Sequence, residues 1–205
     1  LLFDHHWACM QDLSLDATLI GGADGLFLYT RGGGWRKILD VNIATICITS
    51  NHEIWIGTMN DGLFKFSHDL KLLATYQYGH IWQSKGLSNN HIRAFCEDFS
   101  GNLWIGTEDG GLNRFNLNTK EFSFFAPSAG FTNIHGLCLV DDKLWVGTFS
   151  KGLKVIDTRS GVVLKTYQKN DSPRSLIDNS IFAICKTATG DIYLGTMFGL
   201  VRYNK

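Results

Sequence analysis

The sequence is short of proline, of net charge and of long apolar runs, and each shortage excludes a class of protein. Only 2 of its 205 residues are proline, and no apolar run approaches the roughly 20 residues that a membrane-spanning helix needs. The charges of its 19 basic and 19 acidic residues cancel. The chain therefore has no excess positive charge with which to bind nucleic acid or an anionic membrane, and we expect no direct membrane insertion. No segment sustains a 3.6-residue apolar period, which argues against a helical fold.

The residues that are abundant favour short strands joined by tight turns. Hydrophobic residues make up 44% of the chain and aromatic residues 13%, enough for a large core, and there are 22 glycines. The first residues, LLFDHHW, contain neither Met nor a signal peptide. We therefore expect the chain to be a segment of a longer protein.

One phrase recurs five times along the chain. Its clearest copy, NLWIGTEDGGLNRF, occupies residues 102–115. Successive copies of its glycine lie 36, 49, 41 and 48 residues apart, at Gly21, Gly57, Gly106, Gly147 and Gly195. Periods in the forties fit either four-stranded propeller blades or two-helix solenoid repeats. The β-branched and aromatic residues, broken by Asp-Gly and Gly-Gly, favour the blades.

Each unit is predicted to contain four strands, so the fold is all-β, a β-propeller built from five visible repeats. The repeats span approximately 4–40, 41–88, 89–130, 131–178 and 179–205, with residues 1–3 as the end of a preceding or closing outer strand. A glycine inside the second strand predicts a bulge or a close backbone approach. The bulky residues at one shared position predict packing between sheets: Trp55, Trp104, Trp145, Tyr193 and, in the first unit, Leu19.

Five cysteines occur, one in each unit, at Cys9, Cys47, Cys96, Cys138 and Cys185. Their distances to the Trp position predict that all five share one register in the first strand. Strict alternation then puts an isoleucine, such as Ile43 or Ile134, on the same face. One cysteine per unit does not form a disulfide framework, so we predict small buried hydrophobes that a thiol reagent labels slowly. A ring of metal-binding thiols is the alternative.

These phrases resemble the two-component regulator propeller repeat, most closely over GLSNNHIRAFCEDFSGNLWIGTEDGGLNRFNLNTKEFSFF at residues 86–125. That repeat fills the periplasmic sensor region of hybrid two-component systems, best known in Bacteroides-type gut bacteria. The resemblance implies β-propeller blades, a ligand-binding role that is commonly for oligosaccharides, and a histidine kinase elsewhere in the polypeptide. It also implies a seven-bladed propeller, of which this chain is a five-unit part. A closed five-bladed ring is the alternative.

The candidate ligand site lies at the mouth where the fourth-to-first loops meet the second-to-third turns. The position three residues before each cysteine varies in chemistry between units and forms the variable ring: His6, Ala44, Arg93, His135 and Phe182. The position five residues before each cysteine is always polar and forms the polar ring: Asp4, Asn42, His91, Asn133 and Ser180. The turns add Asp61, Asp109 and Lys151, and the long loop 76–90 adds Trp82. Trp82 with Arg93 and His91 would suit a sugar. Alternatively, Trp82 covers a blade edge and Arg93 pairs with Glu97 or a turn aspartate.

Three functions are weighed from these residues. The first is a non-enzymatic sensor that binds a small molecule, with further blades and signalling domains of the same polypeptide as partners. The second is a protein-interaction scaffold, and a homodimer is compatible with both. The third is a propeller lyase, which the absence of a paired-carboxylate or Ser–His–Asp arrangement argues against.

The adjacent His5 and His6 point to opposite faces of a strand, so we expect no metal and no cofactor. The resemblance implies a periplasmic location.

Overall fold

The computed structural model describes residues 6–79, 86–125, 130–173 and 175–203. Every regular element in these ranges is a β-strand. None of these residues belongs to a helix that is long and apolar enough to span a membrane. The predicted all-β fold is therefore confirmed.

The strands form five antiparallel sheets, each in chain order. The first sheet contains β1 (Trp7–Ser14), β2 (Ala17–Gly22), β3 (Gly25–Thr30) and β4 (Gly34–Leu39). The second contains β5 (Ile43–Ile48), β6 (Ile54–Thr58), β7 (Leu63–Phe66) and β8 (Leu72–Tyr76). The third contains β9 (Ile92–Glu97), β10 (Asn102–Thr107), β11 (Leu112–Asn116) and β12 (Phe122–Phe125). The fourth contains β13 (Ile134–Val140), β14 (Lys143–Thr148), β15 (Leu153–Asp157) and β16 (Val163–Tyr167). The fifth contains β17 (Ile181–Lys186), β18 (Ile192–Thr196) and β19 (Gly199–Tyr203).

The chain forms two compact units, Leu1–Phe95 and Cys96–Lys205, and the boundary between them falls within β9. The first unit holds the first two sheets and the start of β9. The second unit holds the rest of β9 and the strands that follow it. Both units use the same packing between consecutive sheets.

An isoleucine at the start of a first strand packs on the repeated glycine of the preceding sheet. A Cβ atom added to Gly106 would lie 2.6 Å from Cγ2 of Ile134, and one added to Gly147 would lie 2.7 Å from Cγ2 of Ile181. In the first unit, the same contacts join Gly21 to Ile43 at 2.4 Å and Gly57 to Ile92 at 2.6 Å. The glycine predicted to permit a close approach therefore accommodates a β-branched side chain of the next sheet.

A β-bulge follows this isoleucine and changes the face of the residues after it. Ile134 pairs with Thr148 and Gly136 with Gly147, so the register skips His135. The same shift leaves out Ala44 in β5 and Phe182 in β17. Ile134 consequently faces Gly106 of the preceding sheet, while Cys138 packs with Ile181 and Ile192 of the following one. The prediction that both share a face was wrong, because strict alternation does not survive a bulge.

At Leu19, Trp104 and Trp145 the shared Trp position lies in these inter-sheet cores, as predicted, whereas Tyr193 is only half-buried. Trp55 and Trp104 are fully buried, and Trp104 packs in one cluster with Ile134, Leu144 and Val146 of the following sheet. The last residue of the fourth strand adds a second ring, since Trp55 and Tyr76 stack with centroids 5.8 Å apart. In the second sheet these two rings thus form one aromatic layer.

Two expectations about the cysteines need correction. Cys47 pairs with Trp55 and Cys138 with Trp145, but Cys9 pairs with Gly21, and Gln11 lies opposite Leu19. Cys9 therefore stands two residues out of the shared register. The cysteines are also less buried than predicted, since Cys185 is exposed and the other four are half-buried.

Burial controls the reactivity of the thiols that remain covered. It raises the pKa of Cys9 to about 11, and an interaction with the Gly21 backbone offsets part of this rise. Burial also raises the pKa of Cys138. Only the thiolate attacks an alkylating reagent, so these two cysteines should react slowly.

The first prediction concerns the glycine contact. Gly106→Ala should lower the free energy of unfolding by about 1–3 kcal/mol, because the new methyl group overpacks against Ile134. Gly195→Ala is the matched control, since its Cβ would meet nothing closer than Ala183 at 3.4 Å. Urea denaturation followed by tryptophan fluorescence would measure both. Equal losses in the two variants would contradict the proposed role of the close contact.

The second prediction concerns thiol labelling at pH 8. Cys185 should be alkylated by iodoacetamide about tenfold faster than Cys9 or more, because Cys185 is exposed and a raised pKa leaves little Cys9 thiolate. Peptide mapping by mass spectrometry would assign each site, and the denatured chain should yield five labelled thiols. Labelling of Cys9 as fast as Cys185 in the folded chain would contradict the described burial.

Candidate functional site

The turn between the second and third strands reaches the start of the next sheet. Gly62 N donates to Asn90 O at 3.0 Å, and Gly152 N donates to Asn179 O at 2.8 Å. In the third sheet, the Asp109 backbone N donates to the Asn133 side-chain oxygen at 2.7 Å. Each pair of partners lies within one unit. In these three cases the second-to-third turn and the following fourth-to-first loop therefore meet at one end of the blades, the mouth.

Several polar side chains at the mouth hold the backbone rather than facing outward. The side chain of Asn89 accepts from His91 N, and that of Asp178 accepts from Ser180 N, both at 2.7 Å. The next residues act alike, because Asn90 accepts from Tyr78 N and Asn179 from Lys169 N, also at 2.7 Å. These turns explain why the loop before each first strand is rich in Asn and Asp.

Four side chains of the second unit form the aromatic patch, namely Glu108, His135, Phe149 and Phe182. The His135 and Phe182 rings meet edge to face with centroids 5.2 Å apart. The Phe149 centroid lies 6.2 Å from that of His135 and 6.1 Å from that of Phe182. Glu108 Oε2 lies 3.7 Å from His135 Nε2. Phe149 is 38% exposed and Phe182 is 39% exposed, so the rings remain accessible.

The repeat explains why these four residues converge. His135 and Phe182 are the bulge residues of β13 and β17. Glu108 and Phe149 each follow the threonine that ends the second strand. Phe149 is fixed there because its N donates to the Asn133 carbonyl at 2.9 Å. A bulge residue and a residue after the W-I-G-T phrase are both free of the packed sheet faces, so their chemistry can vary between repeats.

Sequence reasoning found part of this patch and missed the rest. His135 was among the predicted site residues and is half-buried at the mouth. Phe149 was missed, although its place directly after the W-V-G-T copy could have identified it. Phe182 was placed in the variable ring but not chosen as a site residue, and Glu108 directly precedes Asp109, which was chosen from the same turn.

The other predicted residues of the second unit lie beside the patch in different roles. Asn133 uses its side chain to hold Asp109 N and its carbonyl to hold Phe149 N, so it organises the mouth. Asp109 is exposed and has a φ of 54°. Lys151 is exposed, and its backbone N donates to Thr148 Oγ1 at 3.2 Å. Both side chains therefore lie in the turns that carry Glu108 and Phe149.

Two predicted residues of the first unit occupy the equivalent turns and loops. Asn42 is exposed, and its carbonyl accepts from Met59 N at 3.0 Å. Asp61 is half-buried, and its backbone N donates to Thr58 Oγ1 at 2.8 Å. Both positions match those that build the patch in the second unit, but Ala44 and Met59 stand where His135 and Phe149 stand there.

The proposed partnership of Trp82 with His91 and Arg93 remains a prediction. His91 and Arg93 are both half-buried in the first unit, and His91 N is held by Asn89 as described above. Trp82 lies outside the residues that the structure describes, as does the rest of segment 80–85.

In the first repeat, the alignment counted from the cysteine is two residues out of register with the other repeats. The His6 carbonyl accepts from Ala23 N, as the Asn42 carbonyl accepts from Met59 N. His6 is therefore the counterpart of Asn42, and Ala8 is the bulge residue. Placing His6 in the variable ring was wrong, because Cys9 does not hold the shared cysteine position. Asp4, which was assigned to the polar ring, is outside the described residues.

The chemistry of the aromatic patch suits recognition. In the parts of the chain that the structure describes, no three His, Cys, Asp or Glu side chains come together as a metal site would require. The patch instead offers apolar ring surfaces next to an imidazole and a carboxylate, both able to hydrogen-bond. Ligand sites commonly combine aromatic walls with a few polar groups in this way.

Comparison with known families supports the resemblance inferred from the sequence. The two component regulator propeller family model matches residues 86–109. These residues include a buried polar cluster in which the Trp104 indole donates to Asp98 Oδ2 at 2.8 Å and the Asn102 amide donates to the same carboxylate. The matched stretch therefore carries both the loop that shapes the mouth and the core of the third sheet. No curated protein matches the chain.

Solved structures share the fold. The extracellular domain of the hybrid two component system BT3049 from B. thetaiotaomicron has a TM-score of 0.80 and 18% identity, covering 99% of this chain and 27% of that domain. The extracellular domain of BT4673 from the same organism has a TM-score of 0.79 and 24% identity, covering 98% of this chain and 28% of the other. PorZ of Porphyromonas gingivalis, a surface component of the type-IX secretion system, has a TM-score of 0.69, with 16% identity over 91% of this chain and 30% of PorZ. The chain thus has the fold of β-propeller blades and spans about a quarter of the first two domains.

Proposed function

We propose that this chain is part of the ligand-sensing propeller of a hybrid two-component sensor. It binds an oligosaccharide without chemical turnover, in the periplasm, and a histidine kinase elsewhere in the polypeptide receives the signal. The match of residues 86–109 to the regulator propeller family supports the sensor role. The likeness to extracellular sensor domains supports the location.

The aromatic patch is the observation that carries the ligand class. A pyranose ring has an apolar C–H face, which can pack on an accessible aromatic ring, and equatorial hydroxyl groups, which carboxylates and imidazoles bind. Phe149 and Phe182 supply partly exposed rings, and Glu108 with His135 supplies polar atoms at their edge. These side chains are pre-positioned by bulges and turns, so binding orders few of them.

The same geometry supports a non-enzymatic role. The Glu108 carboxylate lies 3.7 Å from His135 Nε2, with two phenylalanine rings beside the imidazole. A glycosidase instead needs two carboxylates on opposite sides of the scissile bond. The patch resembles a binding platform more than a pair of acid–base groups.

The third prediction tests this site by calorimetry with the purified chain and a panel of plant and host-glycan oligosaccharides. Phe182→Ala should weaken the best ligand about tenfold or more, because it removes a stacking surface. Phe124→Ala is the matched control, since Phe124 is 51% exposed on the outer strand β12 and should leave the affinity unchanged. Circular dichroism would verify that both variants keep the strand content of the parent chain.

Three outcomes are informative. Equal affinity in Phe182→Ala and the parent would reject the aromatic patch as the site. The absence of binding by every oligosaccharide would reject the ligand class. Capture of a peptide at the patch, unaffected by competing oligosaccharide, would favour the interaction scaffold over the sensor.

A further inference from the structure

The junction between the fourth and fifth sheets contains a cavity of about 930 Å³. The outer strand β16 forms one wall, β18 and β19 form the other, and the loop that follows β16 contributes the rest of the lining. A cavity of this size lies within the range of small-molecule sites, about 300–1,000 Å³. Its described lining belongs entirely to the second unit and shares no residue with the aromatic patch.

The corresponding space between the third and fourth sheets is filled by apolar side chains. Phe125, the last residue of β12, has its ring centroid 6.3 Å from that of Phe131. Phe131 comes from the loop before β13, is 2% exposed and packs in one cluster with Ile156. In this junction, a phenylalanine of the loop therefore completes the core beneath the outer strand.

The junction between the fourth and fifth sheets carries different residues at the same register positions. Tyr167 stands where the third sheet has Phe125, and Tyr203 stands where the fourth sheet has Ile156. The loop before β17 contributes Leu176 to this core instead of a phenylalanine. The exchange replaces a loop ring by a smaller side chain and adds two hydroxyl groups.

The two tyrosines hold their hydroxyl groups together between the sheets. The hydroxyl oxygens of Tyr167 and Tyr203 lie 3.1 Å apart, and the two rings meet edge to face with centroids 5.8 Å apart. The Tyr203 ring also meets Trp145 of the fourth sheet edge to face, at 4.9 Å, so it belongs to the junction. A phenol can donate one hydrogen bond and also accept, so the pair keeps a donor for a ligand.

The charge of the cavity favours an anion. The Lys165 ammonium lies 4.5 Å from the centroid of the Tyr167 ring, and no carboxylate of the described residues pairs with it. The other charged residue of the described lining, Arg202, already pairs with Asp191, with Nη2 2.8 Å from Oδ1. No carboxylate belongs to that lining. One positive charge is therefore uncompensated beside two phenols.

We infer that this cavity is a second ligand site, which binds a small carboxylate that carries a ring. The carboxylate accepts hydrogen bonds from the Lys165 ammonium and a tyrosine hydroxyl, a strong pairing because both the ammonium and the carboxylate are charged. The ring packs on the apolar part of the lining, which consists of the buried Leu153, Leu176 and Leu194. Aromatic acids and uronic sugars share this chemistry. The inference does not depend on the proposed function.

The fourth prediction concerns this carboxylate site. Ligand-observed NMR titrations of the 205-residue chain would compare benzoate with benzamide, and glucuronate with glucose. At least one carboxylate should bind more tightly than its neutral counterpart, and the tighter carboxylate identifies the kind of ring. Lys165→Met should weaken that carboxylate about tenfold or more, because the variant lacks a charged donor.

Lys169→Met is the matched control for the loss of charge. Lys169 is exposed in the same loop region but lies outside the cavity lining, so the control should keep the parent affinity. Lys165 is exposed as well, and thermal unfolding should show the same midpoint for both variants. Equal weakening by the two variants would reduce the effect to net charge and overturn the inference.

A further variant tests the cavity by filling it. Leu176→Phe supplies a ring like the one that Phe131 provides in the preceding junction, and it should abolish carboxylate binding without lowering the thermal midpoint. Phe182→Ala leaves the cavity lining unchanged and should bind the carboxylate as the parent does, so failure of this site is distinguishable from failure of the aromatic patch.

Three results would overturn the inference. The first is that neither carboxylate binds the parent chain. The second is that each neutral counterpart binds as tightly as its carboxylate. The third is that Lys165→Met, or a folded Leu176→Phe, keeps the parent affinity.

Discussion

The packing of an isoleucine on a glycine of the preceding sheet is the contact on which this structure depends. It occurs four times among the described residues, at added-Cβ distances of 2.4–2.7 Å. A side chain at the glycine would push the two sheets apart, and a smaller residue at the isoleucine would leave a cavity. The repeated phrase therefore keeps its glycine for contact between blades, and the buried Trp and Leu beside it complete the same interface.

The β-bulge links this structural contact to function. It lets Ile134 face the preceding sheet while Cys138, three positions beyond the bulge residue His135, faces the following sheet. The bulge residue belongs to neither core, so His135 and Phe182 can differ while their scaffold stays constant. The residue that follows the second strand also lies outside the packed sheet faces. Phe149 and Glu108 therefore lie beside the two bulge residues. A constant core and a variable mouth thus arise from one backbone irregularity.

The repeat period and β-rich composition predicted the fold, because both are properties of every blade and errors in one copy are corrected by the others. The face of the isoleucines could not be predicted, since one unpaired residue inverts the alternation and leaves no mark in the sequence. Cys9 misled the alignment because counting from a cysteine assumed equal strand geometry in the first repeat. The site was predicted in part: His135 was found from its variability, whereas Asn133 was chosen for its polarity and proved to hold backbone groups.

The most direct measurement of the central contact is a double-mutant cycle between Gly106 and Ile134, with unfolding free energies taken from urea titrations. If overpacking against Ile134 is what makes an alanine at position 106 unfavourable, Gly106→Ala should cost much less in an Ile134→Ala background. Residues in direct contact typically give a coupling of about 0.5–3 kcal/mol. Additive costs, with no coupling beyond about 0.3 kcal/mol, would contradict the account and place the role of the glycine elsewhere.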